Sequence, residues 1–260
     1  MAHRSMNAVT FMYHDIVAAG ASERSGFAGQ AADVYKLTAE SFEQHLEAIA
    51  AAAPARPAVV TESSAGRATY ITFDDGGRGS FLNAAPALEQ RGWRGHFLIA
   101  TDYINQPPFF SEDEIRELHR RGHVIGSHSA SHPLRMARCS RAELRNEWTS
   151  SIERLSGIIG AAVTVASVPG GMYSAAVAEE AGKAGIRYLF NSEPVTRVQK
   201  LGSCAVLGRF TVKRNTSPGH VRSLARGDRV ARLRELAWWN FRKSAKAMGG
   251  EIYWRYRRDK

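Results

Sequence analysis

Residues 70–80, YITFDDGGRGS, run an apolar strand into two adjacent carboxylates, Asp74 and Asp75, and then into two glycines. Aspartate is depleted in strand interiors, so the strand must end where the pair begins. Two neighbouring carboxylates repel each other, and glycine frees the backbone to turn sharply or to be approached closely. Two readings are open here. One is a polar turn that caps a strand. The other is a strand end that presents two carboxylates for two different tasks.

Working outward, apolar runs alternate with helical patterns along the chain. Residues 8–14 (AVTFMYH) read as a strand ending at His14, followed by strands at 68–73, 95–100, 123–129, 162–168 and 186–190, with 204–212 (CAVLGRFTV) closing the series. Between them, residues 38–52, 80–92, 111–122, 140–160 and 174–185 carry helical spacing, several with a capping residue in front or a glycine behind. Strands separated by helices of about 10–20 residues predict parallel βαβ units. No strand is followed by GxGxxG or GxxxxGK[ST], which counts against a nucleotide-binding doubly wound sheet. The expectation is an α/β fold, a distorted (β/α) barrel in one domain with a basic, aromatic C-terminal helical tail. In such barrels catalytic groups lie where strands end and loops begin.

Composition narrows the class. The 260 residues suit one large domain, and 44% apolar residues supply a core. Two cysteines, Cys139 and Cys204, stand in no metal-ligand spacing and read as reduced thiols. The N-terminus lacks the run of a signal peptide, and no stretch approaches the ~20 apolar residues of a membrane span. The expected compartment is the cytoplasm, including the inner face of the membrane. The net charge of +10 is concentrated: Arg229–Lys260 holds ten Lys/Arg against Glu235, Glu251 and Asp259, a local +7. The chain therefore divides into a barrel over 1–227 and a basic helical segment over 228–260. In that segment Trp238, Trp239, Tyr253, Trp254 and Tyr256 are interleaved with the charges. It reads either as a terminal helix packed on the barrel or as a helix on an anionic membrane surface. No nucleic-acid recognition motif accompanies the charge, and none is expected as partner.

The partners of Asp74 and Asp75 lie in GSHSASHPL, residues 126–134, directly after a strand. His128 and His132 are four apart, and in a helical turn both imidazoles would share one face. Two His and one carboxylate form a common catalytic zinc set that leaves a position for water and substrate. One aspartate is then a ligand and the other is free to take a proton.

TFDDG (72–76), SHSASH (127–132) and VPGG (168–171) occur in the order and rough spacing of three signature motifs of the polysaccharide deacetylases, carbohydrate esterase family four. The chain resembles that family over about residues 8–213. The resemblance implies a distorted (β/α) barrel and metal-dependent hydrolysis of an N- or O-acetyl group on a glycan, and the basic tail would suit a lipid-linked sugar or a nascent polysaccharide as that glycan. The resemblance also assigns Asp74 as general base and Asp75, His128 and His132 as ligands of a divalent metal, zinc foremost. Two departures stand out. The family's third motif carries an Arg two residues before its Pro, where this chain has Ser167 before Pro169. The family's late Leu-x-His, its usual general acid, is expected near residues 206–212 (VLGRFTV), a window that holds Arg209 and no His. Arg209 cannot act as an acid near neutral pH but can bind a carboxylate and replace the missing Arg in space. Gly170 remains a candidate backbone donor to a developing oxyanion. His14, with Asp15 beside it, is the candidate substitute acid, while His96 and His123 begin strands at the opposite end and read as structural. Two other functions stay open: hydrolysis of another amide or a cyclic imide, and a carbohydrate-binding pseudoenzyme.

Overall fold

The structure, a computed structural model, describes residues 7–60 and 67–248. In chain order the elements are β1 (Asn7–Tyr13), β2 (Asp15–Val17), α1 (Gln30–Asp33), β3 (Lys36–Thr38), α2 (Ala39–Ala52), β4 (Arg67–Phe73), α3 (Ala85–Glu89), β5 (His96–Ile99), α4 (Glu112–Arg120), β6 (Val124–Ser127), α5 (Arg141–Ile159), β7 (Val165–Ser167), α6 (Ala175–Lys183), β8 (Tyr188–Phe190), β9 (Gln199–Leu201), β10 (Cys204–Leu207), β11 (Phe210–Thr211), α7 (Pro218–Arg226) and α8 (Arg229–Met248). Helix starts follow local chemistry. Ser111 with Glu114 and Ser140 with Glu143 close full capping boxes on α4 and α5, and Thr38 accepts from Ser41 N at the head of α2.

Nine strands form one curled sheet in the order β11-β1-β4-β5-β6-β7-β8-β10-β9, and β2 pairs separately with β3. Every neighbour pair in the large sheet is parallel except β10 with β9. The distorted barrel is thus the observed fold. Tyr13, Phe73 and Phe97 are in register across β1, β4 and β5, and their rings stack at 5.8 and 4.9 Å. They join Phe42 and Leu46 of α2, Leu88 of α3 and Ile115 of α4 in the largest apolar cluster. Side chains alternate along a strand, so a residue next to Phe73 takes the other face. That places Asp74 on the face of Tyr70, which packs with Leu98, Val165, Phe190 and Leu207 in a separate cluster.

Two departures from the expected element boundaries bear on the site. The first strand stops at Tyr13, and His14 is the single residue between β1 and β2. Residues 204–212 do not form one strand. β10 pairs with β8, whereas β11 pairs with β1 at the other end of the sheet order. Gly208 and Arg209 carry the chain across that seam. A Cβ on Gly208 would lie 2.3 Å from Glu193 O and 2.5 Å from Val195 O, so the crossing needs glycine. At the C-terminus, α8 touches α7, with His220 Nε2 2.8 Å from Glu235 Oε1. Tyr253, Trp254 and Tyr256 lie outside the described residues.

Candidate functional site

The site forms where β4 and β6 end. Asp75 leaves β4 in the left-handed region (φ 73°), followed by Gly76 at φ 87°. An Asp tolerates that conformation better than most residues. Here it turns the carboxylate towards the β6 end. His128 follows β6 directly, and His132 arrives through a loop in which Ser129 (φ 65°) and His132 (φ 59°) are also left-handed. The expected helical turn is therefore absent, and the two imidazoles are brought together by left-handed loop backbone, with ring centroids 5.0 Å apart. The loop is clamped. Ser127 Oγ accepts from Ser129 N (3.0 Å), Ser129 Oγ accepts from His132 N (3.1 Å), and the Glu147 carboxylate on α5 accepts from Ala130 N and Ser131 N at 2.9 Å each. Glu147 carried no signal in the sequence, because it is one more acid on an amphipathic helix.

Asp75 Oδ1 lies 3.4 Å from His128 Nε2 and 3.3 Å from His132 Nε2. It is buried and makes no hydrogen bond. Donors at about 2.0–2.2 Å from a tetrahedral ion lie roughly 3.3–3.6 Å from one another. The spacing and the orphaned oxygen both fit a divalent cation, and one ligand atom from each residue falls within 4.8 Å of the other two. The tautomer also fits. His128 Nδ1 lies 2.6 Å from Ser167 Oγ, whose hydroxyl donates to Asp74 Oδ1 at 3.1 Å, so Nδ1–H donates and Nε2 keeps its lone pair.

Asp74 has different company. The Arg209 guanidinium holds it in a two-pronged pair, NH1 to Oδ1 at 2.7 Å and NH2 to Oδ2 at 2.8 Å, with both residues buried. NH1 also donates to Thr72 Oγ1 at 3.1 Å and Nε to Asn191 O at 2.9 Å. Arg209 and Ser167, the two departures from the family pattern, thus meet on one carboxylate. Burial opposes ionisation of Asp74, but the Arg209 charge, helped by His128, outweighs it and holds the carboxyl below its ordinary value. For Asp75, burial is likewise outweighed by His128 and His132, and its value falls well below normal. His128 is raised: burial opposes its charge, but Asp74 and Asp75 overcome that.

His14 lines the same pocket as Asp74, Asp75 and Gly77, with its ring 4.5 Å from that of Tyr35 and Nδ1 buried without a partner. Burial lowers its pKa. Asp15, read as orienting His14, instead packs on the glycines after the aspartate pair. A Cβ on Gly77 would lie 2.4 Å from Asp15 Oδ2, and one on Gly79 would lie 2.6 Å from Asp15 Oδ1. Those glycines admit a buried carboxyl to the turn, and burial pushes it up to about 6. Gly170 has φ 64° and sits against the His loop, where a Cβ would lie 2.4 Å from Leu134 O. Phe27 packs on the His132 ring at 4.9 Å, backed by Tyr103 and Phe109.

The polysaccharide deacetylase family model matches residues 61–189. YxkH of Bacillus subtilis, which bears a provisional polysaccharide deacetylase name, is 24% identical over 128 residues, 49% of this chain and 46% of that protein. The chain spans about half the length of the curated relatives it matches. Among solved structures, the deacetylase PplD of Streptococcus pyogenes, determined with acetate, superposes with a TM-score of 0.67 at 16% identity, covering 83% of this chain and 96% of that one. IcaB of Ammonifex degensii gives 0.68 at 18% identity, covering 86% and 99%. BC0361, a polysaccharide deacetylase of Bacillus cereus, gives 0.68 at 18% identity, covering 85% and 69%. At these identities the superpositions show the fold.

Proposed function

Because the chain belongs to the polysaccharide deacetylase family through residues 61–189, we propose that it is a metal-dependent hydrolase removing the acetyl group from an N-acetylated sugar in a polysaccharide or lipid-linked glycan. The observation that carries the reading is the division of labour between adjacent carboxylates. Asp75 faces two imidazole nitrogens at ligand spacing, while Asp74 faces a guanidinium and a hydroxyl.

Asp75, His128 and His132 would hold the ion, with zinc the first choice for two imidazoles and one carboxylate. When bound, a divalent ion supplies Lewis acidity to an acyl oxygen and acidifies water. The chain's own groups do the rest. Arg209 and Ser167 keep Asp74 ionised and fix its orientation, as a general base requires before it takes a proton from the attacking water. His14, with an unpartnered Nδ1 in the same pocket, is the candidate to protonate the leaving amine. Burial lowers its pKa, so its protonated form is a stronger acid than free imidazolium. Gly170 is the candidate amide donor to the oxyanion. Ser167 and Arg209, the departures from the family pattern that would favour a pseudoenzyme, both lie on Asp74, which supports a working base instead.

The test is acetate release from a panel of N-acetylated glycans, run beside ring opening of cyclic imides. Acetate release that depends on Asp74 supports the proposal. Imide opening without acetate release assigns the site to the alternative chemistry. Hydrolysis of neither substrate, with glycan still bound, revives the pseudoenzyme.

A further inference from the structure

α8 is twenty residues long and carries six Lys/Arg against Glu235. One of its faces packs, with Ala231 buried and Glu235 engaged by His220. The opposite face does not. Val230, Leu233, Ala237, Trp238 and Phe241 follow one another at helical spacings of 3, 4, 1 and 3, which gathers them into one stripe. Val230, Leu233 and Phe241 are each 64% exposed and Trp238 is 56% exposed, a density of large apolar groups unmatched elsewhere on the described surface. Trp238 and Phe241 stack on each other at 5.6 Å instead of on the barrel. The packed-core reading of this segment is therefore wrong for these residues: their large side chains face outward.

Charge decides what covers the stripe. Arg229, Arg234 and Lys243 are exposed, and Lys243 lies 4.8 Å from the centre of the Trp239 ring. Arg234 lies within the stripe, where its stem can run along apolar surface while its head reaches an anion. The sequence that follows α8 adds Tyr253, Trp254 and Tyr256 among Arg255, Arg257, Arg258 and Lys260. A second copy of this face would bring like charges together. A bilayer carrying anionic lipid matches all three features at once: an apolar stripe, interfacial aromatics and flanking cations. Among the described residues no helix is long and apolar enough to cross a membrane. We propose that α8 lies in the plane of an anionic bilayer surface, with Trp238 and Phe241 inserted at the level of the headgroups and holding the protein there.

The experiment is sedimentation of the full-length protein with vesicles of phosphatidylcholine alone or with about one third phosphatidylglycerol, at low and high salt. Binding is expected to the mixed vesicles only and to weaken with salt. Trp238→Ser with Phe241→Ser should abolish it. Arg234→Glu with Lys243→Glu should weaken it by on the order of tenfold or more. Both pairs are exposed, so circular dichroism and hydrolysis of a soluble substrate should match the parent. The proposal is overturned if the mixed vesicles are ignored, if neutral vesicles bind equally, or if the Ser pair binds as tightly as the parent. It is also overturned if sedimentation velocity shows a dimer that the Ser pair abolishes, because the stripe is then a self-association surface.

Discussion

At each end of the sheet two histidines stand with a carboxylate, His96 and His123 with the Glu89 that bonds His123 at one end and His128 and His132 with Asp75 at the other, and the two ends treat them in opposite ways. At the strand starts, His96 Nε2 accepts from Val60 N (2.9 Å) and its Nδ1–H donates to Ile71 O (3.0 Å). His123 Nδ1 accepts from Gly95 N (3.1 Å) and its Nε2–H donates to Glu89 (2.7 Å), whose two oxygens are also held by Arg121 at 2.7 Å each. Every ring nitrogen there is spoken for by protein, and nothing is left over to bind a ligand. At the strand ends, His128 and His132 turn their Nε2 atoms towards an Asp75 oxygen that has no hydrogen bond. The difference between a structural histidine cluster and a candidate metal centre is therefore one of satisfaction, not composition.

The largest expected effect sharpens the chemical half of that comparison. Asp74→Asn should lower turnover by about 10²–10⁴-fold and leave metal content unchanged, read by acetate release and by metal analysis of the same sample. If that variant empties the site while Asp75→Asn keeps the metal, the two carboxylates have exchanged roles. The second effect concerns the Arg209–Asp74 pair, which is fully buried, whereas the two-pronged Arg121–Glu89 pair at the strand starts is partly exposed. Arg209→Met leaves Asp74 buried without its cation and should cost about 3–5 kcal/mol in denaturant unfolding. It should also move the acidic limb of the pH–rate profile upward, because the cation that held Asp74 low is gone.

The third prediction tests the structural end. Burial lowers His96 from 6.5 to about 4. Between those values the unfolded chain takes up a proton that the folded chain refuses, so stability from this group is intact above pH 6.5 and falls as the pH drops towards 4. The shift corresponds to about 3 kcal/mol. Unfolding midpoints of the parent and His96→Gln, compared at both pH values, should show a smaller acid loss in the variant by that amount. Equal losses would mean that His96 is not held neutral. The smallest effect probes the turn after the aspartates. Gly77→Ala should cost about 1–3 kcal/mol through its clash with the Asp15 carboxyl, and Asp15→Ala should recover much of it in the double variant.

The strand-ending Asp74–Asp75 pair, the two histidines and the alternation of strands with helices are legible because each is a local pattern, and together they carry the barrel and the clustering of Asp75 with His128 and His132. What the chain does between distant segments was harder to read. The pairing of Arg209 with Asp74 was foreseeable only as a missing cation, and it depends on Gly208 crossing the seam of the sheet between β10 and β11. The left-handed turn through Ser129 and His132 mimics the spacing of a helix without being one, so the right neighbours were inferred from the wrong geometry. Glu147 and the seat of Asp15 on Gly77 and Gly79 left no pattern, because each acts across a contact far apart in sequence. The exposed stripe of α8 shows its spacing in sequence, but which face was covered could be decided only by what packs against it.

The central claim is that the strand-end cluster binds a divalent ion and the strand-start cluster does not. It is tested most directly by metal analysis of the purified protein, His128→Ala/His132→Ala and His96→Gln, each dialysed against excess zinc and washed. The account predicts one equivalent per chain in the parent and in His96→Gln, and none above background in the double variant. A full equivalent retained by His128→Ala/His132→Ala would contradict it.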